Sequence, residues 1–361
     1  MKIKKDSFIP RYQQLKGIIL REIKTNKLKP GDQVLSEPQL CKKYNISRIT
    51  VGKAMSELAN EGMLFREPGK GTFVEKTKID KEINIQILCD NSSSSPTSNP
   101  MYWFVSYYIL QGVIAACEKF NCRPSFIDYR SGKISINKAK EVIFIGESLE
   151  LIKEVKAKAH FMVISYYPRA EIQCSNVIAD WEKAAYDGVQ HLLKLGHKKV
   201  GLLDVEEAEH SEIKVYARSC GYKKALEEKG IFSEQLVKEC SNNEESINNA
   251  VFSLLNHKDR PTAIFAVNDF RALGAIKAIQ ERGLRVPEDI AVVGYNDIPE
   301  ASTSVPSLTT LHIPRYECGY ESVRLLKQLI KGEKKEPQTI VLPGRLVIRE
   351  SCGTYLKNNK T

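Results

Sequence analysis

From Ser47 to Leu58, apolar and polar residues recur with the period of a helix. Val51, Ala54, Met55 and Leu58 fall at i, i+3, i+4 and i+7, one face of an α-helix. Ser47 is a favourable N-cap. The opposite face holds Arg48, Thr50 and Lys53, a surface suited to contact, yet Gly52 sits among them. Glycine inside a helix costs about 1 kcal/mol against alanine, so its place there asks for a reason. Upstream, Tyr12, Leu15, Ile19 and Ile23 share one side of a first helix running from Arg11 to about Thr25. Pro30-Gly31 makes a turn. Ser36 and Gln39 then have the spacing of a capping box for a second helix ending near Tyr44-Asn45. Pro38 falls in its first turn, where proline is tolerated. Two short helices joined by a tight turn predict a helix-turn-helix. "MLFRE" and "GTFVE", flanking "PGKG", predict a hairpin in which Gly69 and Gly71 supply backbone freedom.

Beyond Glu75 the pattern changes. "EKTKIDKE", Glu75 to Glu82, is charged and lacks aromatics, and reads as a linker. Short apolar runs follow: "INIQILCD", "RPSFIDYR", "EVIFIG", "FMVISY", "NVIAD", "KKVGLLD", "TAIFAVND" and "IAVVGYND". Helical stretches separate most of them, among them about Tyr102 to Phe120, "EKAAYDGVQHLLKLG" and "FRALGAIKAIQERG". Such alternation predicts an α/β fold of doubly wound parallel sheets covered on both faces. The stretch is long for one core, so two lobes are expected.

Charge sharpens the division. The net charge is +10, and residues 1–82 hold 18 Lys and Arg against 10 Asp and Glu. A basic head on a near-neutral body points to a polyanion partner. A solvated lysine-rich surface is the plainer alternative. Helix, helix-turn-helix and basic hairpin is the order of a winged helix, whose second paired helix enters the major groove. Lys42, Lys43, Arg48, Lys53, Arg66 and Lys70 cluster around that reading surface, which favours DNA over a protein partner. The nine cysteines are scattered, with no C-x-x-C, and suit reduced thiols rather than disulfides or zinc. No apolar run approaches the roughly 20 residues needed to span a bilayer. The N-terminus lacks the apolar core of a signal peptide. A cytoplasmic protein without membrane contact is the expectation.

In open parallel sheets, ligands bind beyond the carboxyl ends of the strands. The polar residues there are Asp90 with the serine loop after it, Asp180, Asp204, Asn268-Asp269 and Asn296-Asp297. Each alone suits a helix cap or turn. Their convergence on one edge points to a polar ligand.

Residues 10 to 74 closely resemble the winged-helix domain of the GntR family of bacterial regulators. Ser47, Arg48, Thr50, Lys53 and Gly69 match its pattern, whereas Pro38 and Gly52 stand where it usually has arginines. From about Ile83 to Arg349 the chain resembles the LacI/GalR effector domain, most clearly in "NVIADWEKAAYDGVQHLLKLGHKKVGLLD" and "PTAIFAVNDFRALGAIKAIQERGLRVPEDIAVVGYNDIPEASTSVPSLTTLHIP". GntR-type heads joined to such domains form a subgroup that includes repressors of arabinose use. The resemblance implies a winged helix-turn-helix at 1–74, a linker at 75–82 and a two-lobed, periplasmic-binding-protein-like domain at 83–361. Lobe 1 would hold about 83–181 and 313–340, and lobe 2 about 182–312 and 341–356. Chain crossings are expected near residues 181, 312 and 341.

The same resemblance implies a DNA surface of Arg11, Ser36, Ser47, Arg48, Thr50, Lys53, Gly69 and Lys70. It implies an effector site with Arg218 as a fork for sugar hydroxyls and Asn268 as donor and acceptor. Asp180 would face them from the other lobe. Tyr102, Trp103 and Phe104 would stack on a sugar face, and Trp181 would wall the pocket, although each aromatic suits core packing equally. Asn296 stands where aspartate is common, which leaves the ligand's identity open. Asp297 suits a structural cap. Only ten residues, "SGKISINKAK", separate two of the runs where the family has a fuller helix, so the first lobe reads as trimmed.

An enzyme is disfavoured. There is no G-x-S-x-G, P-loop, G-x-G-x-x-G or H-E-x-x-H, and no cofactor or metal is expected. A solute-binding protein is disfavoured by the basic head and the lack of a signal peptide. The expectation is a homodimeric regulator, a repressor by family habit, which binds double-stranded operator DNA and is released by a small carbohydrate, a pentose or deoxyhexose. An activator, or a sensor of a non-sugar metabolite, is the alternative within the same architecture. Gly52 would then mark an altered reading head. Gly52→Arg is expected to change affinity or preference across a randomised operator library, and an unchanged profile would make the glycine mere surface drift.

Overall fold

The structure is a computed structural model. It describes residues 3, 10–25, 27–75, 82–89, 100–126, 141–146, 148–166, 172–206, 213–335 and 337–354. By its internal contacts the chain divides into two compact units, Met1–Ile83 and Asn84–Thr361. Residues 76–81 of the expected linker, Asp90 with its serine loop, and the "SGKISINKAK" stretch lie outside the described residues.

The first unit contains helices α1 (Arg11–Lys24), α2 (Glu37–Tyr44) and α3 (Arg48–Asn60), then strands β1 (Leu64–Glu67) and β2 (Gly71–Val74). The periodic apolar positions form its core: Leu15, Ile19, Ile23, Leu40, Val51, Ala54, Met55 and Leu58 are all buried. Gln39 Oε1 accepts from Ser36 N at 2.8 Å and from its Oγ at 3.0 Å, which fixes the entry to α2. Asn45 closes that helix in the left-handed region, a conformation asparagine tolerates. β1 and β2 pair antiparallel, and Gln33 bridges Phe73 on the outer side of β2.

The second unit is built on two six-stranded sheets. One joins β3 (Ile83–Cys89), β4 (Cys122–Phe126), β5 (Glu141–Ile145), β6 (Phe161–Tyr166), β7 (Ser175–Asp180) and β13 (Thr339–Pro343), in the order β13-β7-β6-β5-β3-β4. The other joins β8 (Val200–Asp204), β9 (Val237–Glu239), β10 (Ala263–Ala266), β11 (Ala291–Asn296), β12 (Thr309–His312) and β14 (Arg345–Val347), in the order β14-β12-β11-β10-β8-β9. Pairing within the central strands is parallel, and β14 closes its sheet as an antiparallel edge. Strands buried on both faces, such as β8, β10 and β11, read as unbroken apolar runs for that reason.

The chain passes between the sheets at three places. β7 ends at Asp180, and α6 (Trp181–Lys194) packs against α7 (Ile213–Glu227) of the second sheet. β12 ends at His312, and α11 (Arg315–Ile330) packs against α4 (Pro100–Phe120) and the first sheet. β13 keeps its parallel register with β7 as far as Pro343, so the third passage falls at Gly344. The strand's alternating exposure marks an edge, a weak signal in sequence.

Both helix pairs depend on glycine for their closeness. A Cβ on Gly112 of α4 would run into the Tyr316 carbonyl, and one on Gly319 of α11 into that of Ile109, so the contact is reciprocal. Gly221 of α7 meets the Glu182 carbonyl in the same way. Backbone cannot yield as a side chain tip can. Gly319→Ala is therefore expected to cost about 3 kcal/mol of stability, read as a lowered midpoint in urea denaturation. An unshifted midpoint would mean that the helices separate freely.

Candidate functional site

Two surfaces merit attention, one in each unit. In the first, α3 presents its polar face. Ser47 Oγ accepts from Thr50 N at 3.2 Å and lies 2.8 Å from Thr50 Oγ1, so the two hydroxyls form the cap and define the helix start. The Arg48 side chain is 82% exposed and stands 3.9 Å from Glu37, which also holds Arg66 at 3.3 Å. Lys53 is less free than its sequence position suggests. Its Nζ sits 4.0 Å over the Tyr12 ring, a cation–π contact back to α1. Arg11 is exposed at the first position of α1, and Ser36 at the cap of α2. In the wing, Gly69 (φ 77°) makes the turn, Lys70 pairs with Glu67 at 2.7 Å, and Gln33 Nε2 donates to the Lys70 carbonyl at 2.8 Å. A Cβ on Gly52 would meet nothing within 4 Å, so no packing constraint within the chain explains that glycine.

In the second unit, Arg218 and the Trp181 carbonyl meet at Tyr295, and Asp180, Asn268 and Asn296 stand next to these contacts along the chain. Tyr295 lies in the apolar run of β11 and reads in sequence as core. Its ring is buried, and its hydroxyl donates to the Trp181 carbonyl at 3.1 Å. The Arg218 guanidinium stacks over that ring at 4.4 Å and donates to the Val267 carbonyl at 2.7 Å. Arg218 Nε is buried without a hydrogen-bond partner, and such a donor is costly to leave unmet. Asn268 accepts from Arg271 N at 2.9 Å and donates to Asn242 Oδ1 at 3.2 Å, capping α9 (Asp269–Gln280). Asp180 accepts from Lys183 N at 3.0 Å as the cap of α6. Capping leaves each residue with further sites for hydrogen bonds. Tyr102, Trp103 and Phe104 fall near the start of α4, but their side chains lie outside the described residues.

Asn296 is buried, with φ 122°, and both its carbonyl oxygen and Oδ1 accept from Arg315, at 2.9 and 2.6 Å. A non-glycine residue in that region is strained, and strain of this kind gathers at functional sites. Arg315, which carried no signal in sequence, holds the strained residue in place. Asp297 follows, also at positive φ (56°). It is not a simple cap. Its Oδ1 accepts from Arg349 Nη2 at 2.7 Å, and Oδ2 lies 3.0 Å from His312 Nδ1. Burial works against its charge, but His312 and Arg349 outweigh that and hold its carboxyl below the usual aspartate range. Asp269 shows the opposite. Burial pushes its carboxyl up to about 6, against hydrogen bonds from Thr310 Oγ1 and Ile298 N. It ties β12 and the loop after β11 to α9, a structural role.

A cavity of about 460 Å³ is lined by Asp297, His312, Arg315, Arg349, Tyr108 and Tyr316, among others, and does not include Arg218, Asn268 or Trp181. It lies beside the Tyr295 cluster rather than within it. Among the described residues, no cluster of His, Cys, Asp or Glu is arranged to hold a metal ion. No helix is long and apolar enough to cross a membrane.

Comparisons with known proteins agree with this division. Residues 11–74 match the bacterial regulatory proteins of the gntR family, and residues 189–352 match a periplasmic-binding-protein-like domain. The arabinose metabolism transcriptional repressor of Halalkalibacterium halodurans is 29% identical, over 94% of each chain. A solved LacI-family regulator from Enterococcus faecium with bound ribose superposes with a TM-score of 0.59 at 25% identity, covering 74% of this chain and 98% of that one. A regulator solved as a CelR–cellobiose complex superposes with a TM-score of 0.62 at 24% identity, covering 85% and 91%.

The Asp297 knot has a pH signature. A folded-state pKa below the unfolded value stabilises above about pH 4, and that gain is lost as the pH falls through the folded value. Asp297→Asn should thus destabilise by roughly 1–2 kcal/mol at pH 7, with the deficit shrinking below pH 4. Denaturation midpoints across pH read this out. A deficit that stays constant with pH would assign the loss to packing alone.

Proposed function

For a chain that joins a gntR-family regulatory domain to a periplasmic-binding-protein-like domain, we propose the role of a transcriptional repressor released from its operator by a small carbohydrate. The observation that carries this reading is Arg218, stacked on Tyr295 and bonded to the Val267 carbonyl next to Asn268, with Tyr295 in turn bonded to the Trp181 carbonyl, at strand ends where the chain passes between two parallel sheets. Rings beside hydrogen-bonding side chains suit a sugar, which has apolar faces and a rim of hydroxyls. The relatives support the same class, one named for arabinose metabolism and two solved with ribose or cellobiose bound.

In this mechanism two copies of the chain bind a pseudo-palindromic operator. Each sets α3 in a major groove, with Arg48 and the wing lysine Lys70 at phosphates or base edges. Arg11, Ser36, Ser47, Thr50, Lys53 and Gly69 complete the surface. Counterion release from these contacts makes binding steeply salt-dependent. The sugar binds between Arg218, Asn268 and Asn296 on one side and Asp180 on the other, with Trp181 and the aromatic start of α4 as walls. It favours the closed arrangement of the two sheets. Closure moves the segment 75–82 and misaligns the heads. Coupling of this kind is typically about 1–3 kcal/mol per site, and reciprocity requires operator DNA to weaken sugar binding equally.

A thermal-shift screen over monosaccharides and sugar phosphates tests the ligand. A true effector at a hundred times its Kd adds about 2.7 kcal/mol of stability, and Arg218→Ala is expected to abolish that shift. An undiminished shift would remove Arg218 from the site, and a large shift with a purine would overturn the carbohydrate assignment. The DNA half is tested separately by duplex binding at low ionic strength.

A further inference from the structure

Cations explain most of the exposed face of α3, but not Ile49. Its side chain is 85% exposed, more than any other large apolar residue described. It lies in the first turn, just behind the Ser47 cap, with Arg48 and Thr50 beside it. An isoleucine in water forgoes the gain from burial, and a β-branched residue is a modest helix former. Neither core packing nor helix propensity accounts for it.

Gly52 adds a second observation. Residues at i and i+3 are neighbours on a helix surface, so Gly52 adjoins Ile49. A Cβ at position 52 would meet nothing within 4 Å beyond its chain neighbours and the helix's own backbone. The pair is an apolar knob beside an open step. Around it stand the exposed cations Arg48, Lys42, Lys43, Arg66 and Lys70. A protein partner seated here would strip water from those charges, whereas a duplex would meet them with phosphate. The apolar feature in the major groove is the C5-methyl group of thymine, and residues in the first turn of a reading helix are the ones that reach base edges.

We propose that Ile49 selects a thymine in the operator, with the methyl group seated against its side chain in the space left open at Gly52. The proposal rests on the DNA-reading function given above. A longer side chain at 52 would fill that space. The glycine thus belongs to the reading of the base, and its cost in helix propensity is offset in the complex.

The test uses the full chain. Duplexes are selected from a randomised library, and each thymine of the selected sequence is replaced singly by deoxyuridine, which removes the methyl and nothing else. One position in each half-site is expected to lose affinity about fourfold, the value of one buried methyl group. Ile49→Ala, a change at an exposed residue that leaves the core intact, should bind the thymine and uracil duplexes equally. It should also lose the preference at that position while keeping the wild-type salt dependence. Selective binding that ignores deoxyuridine at every position overturns the proposal and leaves the DNA-reading function standing. So does an Ile49→Ala protein that still discriminates thymine from uracil. Failure to select any duplex removes both.

Discussion

The fit between Arg315 and Asn296 governs the geometry of the receptor unit. Arg315 is 4% exposed, and a buried guanidinium needs acceptors fixed in place. It finds both oxygens of Asn296, at the end of β11, and so links the start of α11 to the second sheet. One residue earlier, Tyr295 reaches the Trp181 carbonyl at the start of α6. The end of one strand therefore ties two of the three chain passages. The third, at Gly344, comes so close that a Cβ there would press on Ala184 Cβ, 2.8 Å away. Motion of one sheet against the other would load this small cluster, because Tyr295 and Arg315 bond across the passages.

The glycines of the helix pairs work to the same end. Contact of backbone with backbone at Gly112 and Gly319 locks α4 to α11, and Gly221 locks α6 to α7. Each sheet is thereby tied closely to helices packed on it. Interiors packed at crystal density transmit displacement rather than absorb it. A ligand that draws the sheets together would act on a hinge, not on a soft interior.

Sequence made much of this legible. The head was readable almost to the residue, because helix periodicity, the Ser47 cap and the wing glycines are local signals whose meaning does not depend on distant contacts. The strands β3–β8, β10 and β11 showed as apolar runs, since strands covered on both faces carry little alternation, whereas β9, β12, β13 and β14 did not. The failures were long-range. Tyr295 reads as core and Arg315 carries no signal, because their partners, Trp181 and Asn296, lie 114 and 19 residues away along the chain. Lys53 counted as a free cation until its contact with Tyr12 was visible. Edge strand β13 carries no long apolar run, because three of its five residues face solvent. Asp269 and Asp297, adjacent to the amides Asn268 and Asn296, were indistinguishable from ligand groups by type alone. Burial and partners separate them.

The two surfaces differ in how their polar groups are spent, and this bears on how each recognises its target. On α3, the Arg48 side chain extends into water, and Ile49 and the space at Gly52 are unfilled. Contacts formed there are additions, limited mainly by the ordering of exposed side chains. Around Tyr295, Arg218 already donates to Val267, and Asn268 to Asn242. A ligand entering here exchanges bonds for bonds, and the net gain from each is modest, about 0.5–1.5 kcal/mol. Arg218 Nε is the exception, being buried without a hydrogen-bond partner among the described residues, so that an acceptor reaching it would add a bond without replacing one. A ligand bound at these residues, as proposed, would have to match a preset network, which favours one ligand shape over its neighbours. A hydroxyl missing or misplaced leaves a buried group unmet, and that penalty exceeds what the correct contact adds.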